Sequence, residues 1–164
     1  MEKKKYRNSG NKKMNYKIYP LKIKHYDDVM ALWKNTENID FSETDEKIYF
    51  KYFLKRNPGL SSIAIYNRKI IGAVLCSHDG RRGYLHHLAV KKEYRRHKIG
   101  KTLVEKCLKK LAKEKIIKCN IYILEKNEPG SHFWQQQGFQ LLEHFGWMQK
   151  QISHSIPVNK KYGL

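Results

Sequence analysis

The stretch Leu85–Leu103, LHHLAVKKEYRRHKIGKTL, constrains this chain more than any other. Leu85, Leu88, Ala89 and Val90 read as a buried strand, and Arg95, Arg96, His97 and Lys98 crowd the loop after it. From Ile99 onward apolar residues recur three or four positions apart, through Leu103, Val104, Cys107, Leu108 and Leu111, which is the period of an amphipathic helix. A helix start carries unpaired backbone N–H groups and a partial positive charge. Set after a strand and rimmed with cations, it makes a place for a phosphate or pyrophosphate.

Two other readings of this stretch fail. Gly100-Lys101-Thr102 imitates the end of a P-loop, but that motif needs a glycine where Arg95 stands. Lys101, Lys106, Lys109, Lys110, Lys113 and Lys115 imitate a nucleic-acid-binding helix, yet they interleave with a clean apolar face and read as its solvated side.

The formal charge of +19 suggests an anionic partner, but lysine outnumbers arginine 27 to 7 and is scattered along the chain. A surface built to read phosphates concentrates arginine. The charge is therefore read as compositional drift plus one local anion site, and a nucleic-acid partner is not expected. With 164 residues the chain makes one domain with a real core. No apolar segment follows the basic N-terminus, and the longest apolar run, Ile70–Cys76, is too short to span a bilayer. A cytoplasmic protein with no membrane partner is expected. Cys76, Cys107 and Cys119 lack metal-ligand spacing and read as reduced core thiols, so no metal site is expected.

Residues 1–13 are polar, basic and aperiodic, the mark of a disordered tail, with Met14 an alternative start and residues 14–164 the folded domain. Tyr16–Tyr19 alternates as a first strand. Asp27 or Asp28 is expected to cap a helix reaching Trp33, and Thr44 a second one with Ile48, Tyr49, Tyr52 and Phe53 inward, ended by Asn57-Pro58-Gly59. Ser61–Tyr66 and Lys69–Ser77 form a hairpin about Asn67-Arg68. The turn 79–83 leads into the strand Tyr84–Val90. The helix from Ile99 to about Lys115 then crosses over to a strand Lys118–Leu124. Pro129 suits the first turn of a short helix ending near Gln137, with Gly138 at its C-cap. One or two final strands are expected from Phe139.

With the elements in this order, two motifs resemble the GCN5-related N-acetyltransferase (GNAT) family. Its acyl-CoA signature is Arg or Gln, two residues, Gly, one residue, then Gly or Ala. Arg95 and Gly100 match its ends, and Lys98 stands where the middle glycine belongs. Asn127, the aromatic pair Phe133-Trp134 and Gly138-Phe139 resemble a second signature at the same spacing. The resemblance covers roughly residues 15 to 150. It implies an α/β fold: a mixed, mostly antiparallel twisted sheet with a splayed central parallel strand pair, flanked by about four helices. It also implies acetyl-CoA as cofactor and transfer of its acetyl group to a primary amine of a small molecule or protein.

Carried onto this sequence, the family pattern gives each residue an expected role. Backbone groups of Leu88, Ala89 and Val90 hold the pantetheine and polarise the acetyl carbonyl. The loop from Arg95 through Arg96, His97, Lys98, Ile99 and Gly100 to Lys101 holds the pyrophosphate. Asn127, Phe133 and Trp134 flank the cofactor. Some members carry a histidine four residues before the equivalent of Val90, and here that residue is His86. An imidazole of ordinary pKa ~6.5 can accept a proton near neutrality. On a regular strand His87 would face the other way, so only one of the two histidines looks into the splay unless a bulge intervenes. Tyr84 shares the face of His86 and can extend a proton relay or serve as the acid.

Acetyl transfer to an amine needs a neutral amine, preorganised donors for the developing oxyanion, in-line placement and a proton for the departing thiolate. Many family members use a tyrosine for that proton where this chain has Trp134, whose indole N–H is not an acid. Trp134 is read as a packing wall. Arg81 and Arg82, at the other end of the strand, are candidates for an acceptor carboxylate or phosphate. A homodimer is left open. Lys98 and Trp134 also keep open a second reading, a basic nucleic-acid-associated or regulatory module that keeps the fold without catalysis.

Overall fold

A strand–loop–helix unit needs a sheet against which to bury its strand and one helix face. The computed structural model describes residues 14–144 and 146–152 and supplies that sheet. Five strands lie side by side in sequence order: β1 (Lys17–Pro20), β2 (Ser62–Tyr66), β3 (Lys69–His78), β4 (Gly83–Val90) and β5 (Cys119–Ile121). The pairings are antiparallel except the last, β4 with β5, which is parallel. Four helices accompany them: α1 (Tyr26–Lys34), α2 (Lys47–Arg56), α3 (Ile99–Lys113) and α4 (Glu128–Gln136). The basic tail 1–13 lies outside the described residues.

The uninterrupted apolar run of β3 follows from burial on both faces. Ile70, Ala73 and Leu75 pack with Val29, Leu32, Trp33 and Phe50 of α1 and α2. Ile71, Val74 and Cys76 pack with Leu103, Val104, Cys107 and Leu111 of α3. At about 1.5–3 kcal/mol for each large apolar side chain fully buried, this seam is what docks α3. The β2–β3 hairpin turns at Asn67 and Arg68, both with positive φ (47° and 62°), the two-residue turn that suits strand twist. Asn57 ends α2 and is itself buried. Its side chain donates to the Phe53 carbonyl (3.1 Å) and accepts from the His78 amide (3.1 Å).

Several local expectations need correction. α1 follows directly on a 3-10 turn, Ile23–His25, so His25 occupies the cap position and Asp27 and Asp28 lie in the first turn. There their charge still suits the helix end. Ser42, not Thr44, is the capping side chain before α2: it accepts from the Thr44 amide (3.3 Å) and caps a short 3-10 turn, and α2 begins only after Glu46. The one fully buried residue of α2 is Phe50, missing from the expected inward set. Lys110 does not lie on a solvated face. Its ammonium turns inward to the Leu60 carbonyl (3.0 Å) and the Ser62 hydroxyl (2.9 Å), tying α3 to the start of β2. The strand expected over Lys118–Leu124 pairs only over Cys119–Ile121. No strand follows Phe139 among the described residues, so the parallel pair sits at the edge of the described sheet.

Candidate active site

The β4–β5 ladder lasts three pairs: Gly83 with Cys119, Tyr84 with Asn120 and Leu85 with Ile121. β4 then runs on to Val90 without β5 beside it, which opens the sheet along one edge of β4. Across its other edge, Ala73 pairs with Ala89 and Leu75 with His86, so Val74 faces both His87 and Leu88. This is a β-bulge, and His87 adopts φ +50° there. The extra residue cancels the alternation expected of a regular strand. His86 and His87 therefore both turn toward α1 and α2: His86 meets Phe53 (ring centroids 6.2 Å apart), and His87 meets Trp33 (5.0 Å).

The two histidines differ in their partners. His87 Nε2 lies 2.7 Å from Asp45 Oδ1. Burial pushes the Asp45 carboxyl up, but hydrogen bonds from His87 and the Ser42 amide outweigh it and hold the group below its ordinary value. His86 has no hydrogen-bond partner among the described residues. It sits among aromatic rings, stacked on Tyr84 at 6.2 Å and facing Tyr122 at 6.1 Å. Burial, then the neighbouring charge of His87, lowers its pKa against a smaller opposing pull from Asp45. At neutral pH it is a neutral base. Trp147 closes the cluster against Tyr122, with centroids 4.4 Å apart.

At the far end of β4 the loop is built locally. Arg95 Nε donates to the Val90 carbonyl (3.1 Å), closing the loop on the strand end. Arg96 and Lys98 have φ +67° and +62°, so the backbone folds into a concave run of amides. The Lys98 carbonyl accepts the first intrahelical bond, from the Thr102 amide, leaving the amides of Ile99, Gly100 and Lys101 without an acceptor inside the helix. The Phe133 ring lies over Gly100, where a Cβ would come within 3.4 Å of it. These groups fit a diphosphate in shape and charge. Lys98, standing where the family has glycine, occupies the left-handed region that glycine favours.

Asn127 caps α4, its Oδ1 accepting from the Gly130 amide (3.0 Å) and from Asn38 Nδ2 (3.3 Å). Trp134 packs edge-on between Phe133 and Phe139, with centroids at 5.2 and 5.1 Å, as a packing wall would. Arg81 and Arg82 lie in a turn folded by Asp79, whose Oδ1 accepts from both their amides (2.8 and 2.7 Å). That turn stands beyond the closed end of the opening. Tyr84 donates to Asp79 Oδ2 (3.3 Å), so its hydroxyl points to the turn and its ring to His86. Cys76 and Cys119 offer no ready nucleophile: the hydrogen bond to Cys107 and then burial push Cys76 up, and burial pushes Cys119 up to about 12, while Cys107, which the bond with Cys76 lowers, is fully buried on the inner face of α3.

Sequence reasoning missed Asp45, Tyr122 and Trp147, and it placed Phe53 inward without setting it against His86. Tyr122 was recoverable, because pairing Tyr84 with Asn120 puts the residue two further on upon the same face.

Residues 26–139 match the family model described as Acetyltransferase (GNAT) family. The chain belongs to that family. Among relatives, N-alpha-acetyltransferase 30 of Saccharomyces cerevisiae is 31% identical over 133 residues, covering 73% of each chain. Two solved structures share the fold. The PaiA N-acetyltransferase of Thermoplasma acidophilum in complex with coenzyme A superposes with TM-score 0.70 at 25% identity, over 81% of this chain and 94% of that one. The NatC complex bound to Gag peptide and CoA gives 0.68 at 26% identity, over 79% and 87%. The protein is an acetyl-CoA-dependent N-acetyltransferase, and its acceptor is an amine of a protein or small molecule.

Proposed function

We propose that this chain acetylates the α-amino group of a peptide or protein, with His86 as the base. The observation that carries this is the free, neutral imidazole of His86 at the mouth of the β4–β5 opening, with the β4 bulge beside it. Acetyl-CoA supplies the thioester that the amine attacks, and no enzyme nucleophile is needed. The loop from Arg95 to Lys101 holds the diphosphate, and the open edge of β4 at Leu88–Val90 presents backbone groups to the rest of the cofactor.

The strength of the base bears on the acceptor. Whatever base receives it, the proton of an α-ammonium of pKa ~7.8 is given up about 3.5 kcal/mol more readily than that of a lysine ammonium at ~10.4, and a base lowered by burial can least make up that difference. A base of this kind suits an α-amine. A polyamine acceptor would also meet the repulsion of a chain carrying +19. The resemblance to N-alpha-acetyltransferase 30 and to a complex holding a peptide supports the same choice.

Tyr122 supplies the thiolate's proton in this scheme. It faces His86, and burial followed by the charge of Tyr84 raises its pKa, so it stays protonated. Tyr122→Phe should lower kcat by roughly 10–10² with little change in acceptor KM. Tyr84→Phe, whose hydroxyl is engaged by Asp79, should change kcat far less. The acceptor class is tested by following free thiol release with peptides, free lysine and polyamines and locating the acetyl group by mass spectrometry. Acetylation of lysine side chains or polyamines in preference to peptide N-termini would sink the proposal.

A further inference from the structure

The connection between α1 and α2, residues 35–46, is tied to the site at three points. Glu37 Oε2 meets the Arg95 guanidinium at 3.4 Å, and Asn38 Nδ2 donates to Asn127 at 3.3 Å; both contacts are exposed. The third is Asp45 to His87 at 2.7 Å, with the two side chains only 13% and 19% exposed. Exposed pairs of the first kind contribute at most about 1 kcal/mol. A short, largely shielded, charge-assisted hydrogen bond is stronger and sets geometry.

The third tie is held from every side. Asp45 Oδ2 accepts from the Ser42 amide (3.0 Å), and its main-chain carbonyl accepts from the Tyr26 hydroxyl (3.0 Å). The His87 ring is flanked by Trp33 at 5.0 Å and Phe41 at 5.8 Å. All this secures a residue in the left-handed region, φ +50°, which side-chain-bearing residues enter at a cost. Such strain persists only where the surroundings over-determine it. His87 is the bulged residue: His86 comes directly before it, and Leu88, at the open edge, directly after.

We propose that Asp45 is a positioning residue for acetyl transfer, acting through His87: the pair sets the β4 bulge and the α1–α2 wall in one fixed relation, so that the His86 imidazole meets the acceptor amine in register with the acetyl group held at the Leu88 backbone. This rests on the acceptor reading above. The diphosphate loop is built from neighbours in sequence and needs nothing from Asp45. Loosening the pair leaves that loop, the larger part of the cofactor's anchorage, in place, so it acts mainly on turnover and on the acceptor and touches cofactor affinity only through Leu88.

The test uses the full chain, with thiol release at saturating acetyl-CoA and a peptide acceptor, and calorimetry with acetyl-CoA alone. Asp45→Ala should lower kcat/KM for the peptide at least about tenfold, since a misplacement of ~1 Å can cost up to a hundredfold. Its acetyl-CoA Kd should stay within about twofold. Asp45→Asn, whose amide oxygen still accepts from Nε2–H, should recover most of the loss. Should Asp45→Ala fail to fold, Asp45→Glu keeps the charge but lengthens the tie by one methylene, and it should lower kcat/KM at unchanged Kd. The proposal is overturned if the folded variants keep kcat/KM within about twofold of the parent, if the loss follows acetyl-CoA affinity, or if Asn does no better than Ala. An unsubstituted chain silent toward every peptide overturns the acceptor reading and this one with it; an active parent with indifferent variants overturns this one alone.

Discussion

The loop before α3 and the connection between α1 and α2 meet the same strand in different ways. The loop closes on itself: Arg95 returns to the Val90 carbonyl, five residues back, and Lys98 starts the helix that Thr102 continues. The connection reaches its partners over 42 residues to His87, 58 to Arg95 and 89 to Asn127. Short loops cost little entropy to close. The cofactor side is thus nearly self-contained, whereas the acceptor side exists only once the sheet has brought distant residues together. Its contacts to Arg95 and Asn127 are exposed and easily rearranged, whereas those of Asp45, to His87 and Tyr26, are shielded. The cofactor is common to the family, and the acceptor is what must vary.

The largest effect that would break this division is at His86. His86→Ala should lower kcat by roughly 10²–10⁴ while acetyl-CoA affinity, measured by calorimetry, holds. It should also flatten the acid limb of the pH–rate profile. The same residue leaves a mark on stability. Its folded pKa is lowered, so it favours folding fully above the unfolded value near 6.5, and that contribution is lost as pH falls from there through the folded value. Urea titrations between pH 7 and 5 should show the decline in the parent and a shallower one in His86→Ala. The remainder belongs to His25, which is lowered too, by burial and then Lys24. Asp45 enters only at lower pH, as its stabilising charge is lost below the ordinary carboxylate value. An unchanged kcat at pH 7 would leave the His86 imidazole as a packing ring.

A smaller effect should sharpen the contrast from the cofactor side. Gly72 lies in β3 beneath the opening. A methyl there would come within 3.1 Å of Leu103 Cδ1 and 3.2 Å of both the Ala89 carbonyl oxygen and Ile99 Cγ2. Those atoms belong to β4 and to the start of α3, the two supports of the cofactor. Gly72→Ala should cost about 1–3 kcal/mol in urea unfolding, the usual range for overpacking. It should weaken acetyl-CoA binding more than it raises acceptor KM. Unchanged stability would mean that Leu103 and Ile99 yield, and that the two supports are less rigid than their packing suggests.

The same contrast governs what could be read from the chain beforehand. The period of α3, the Asn67–Arg68 turn and Gly138 after α4 are local signals, and each matches the structure. The bulge carries no local mark, with neither glycine nor proline at His87. The extra residue shows only against Val74 on the neighbouring strand. Asp45 is one acidic residue among several in a polar stretch, and only the fold sets it against His87. The final strands expected from Phe139 would carry Leu141 and Leu142. Both are exposed, and in that segment it is Trp147 that reaches the end of β5, its ring tilted against Tyr122 just past the strand.

The smallest expected effect concerns Lys98, where this chain departs from the family glycine. Its φ of +62° and ψ of 11° cost a side-chain-bearing residue about 1 kcal/mol. A glycine relieves that cost but gives up roughly 0.5–1 kcal/mol through the freer unfolded chain. Lys98→Gly should therefore move stability by less than about 1 kcal/mol. The diphosphate is met by backbone N–H groups, which the substitution leaves in place. Acetyl-CoA affinity should then stay within about tenfold, or roughly 1.4 kcal/mol. Part of any loss would come from removing one exposed cation, so it should shrink as salt rises. A hundredfold loss that persists at high salt would show that the lysine side chain itself grips the cofactor, and the cofactor side would no longer be a purely backbone device.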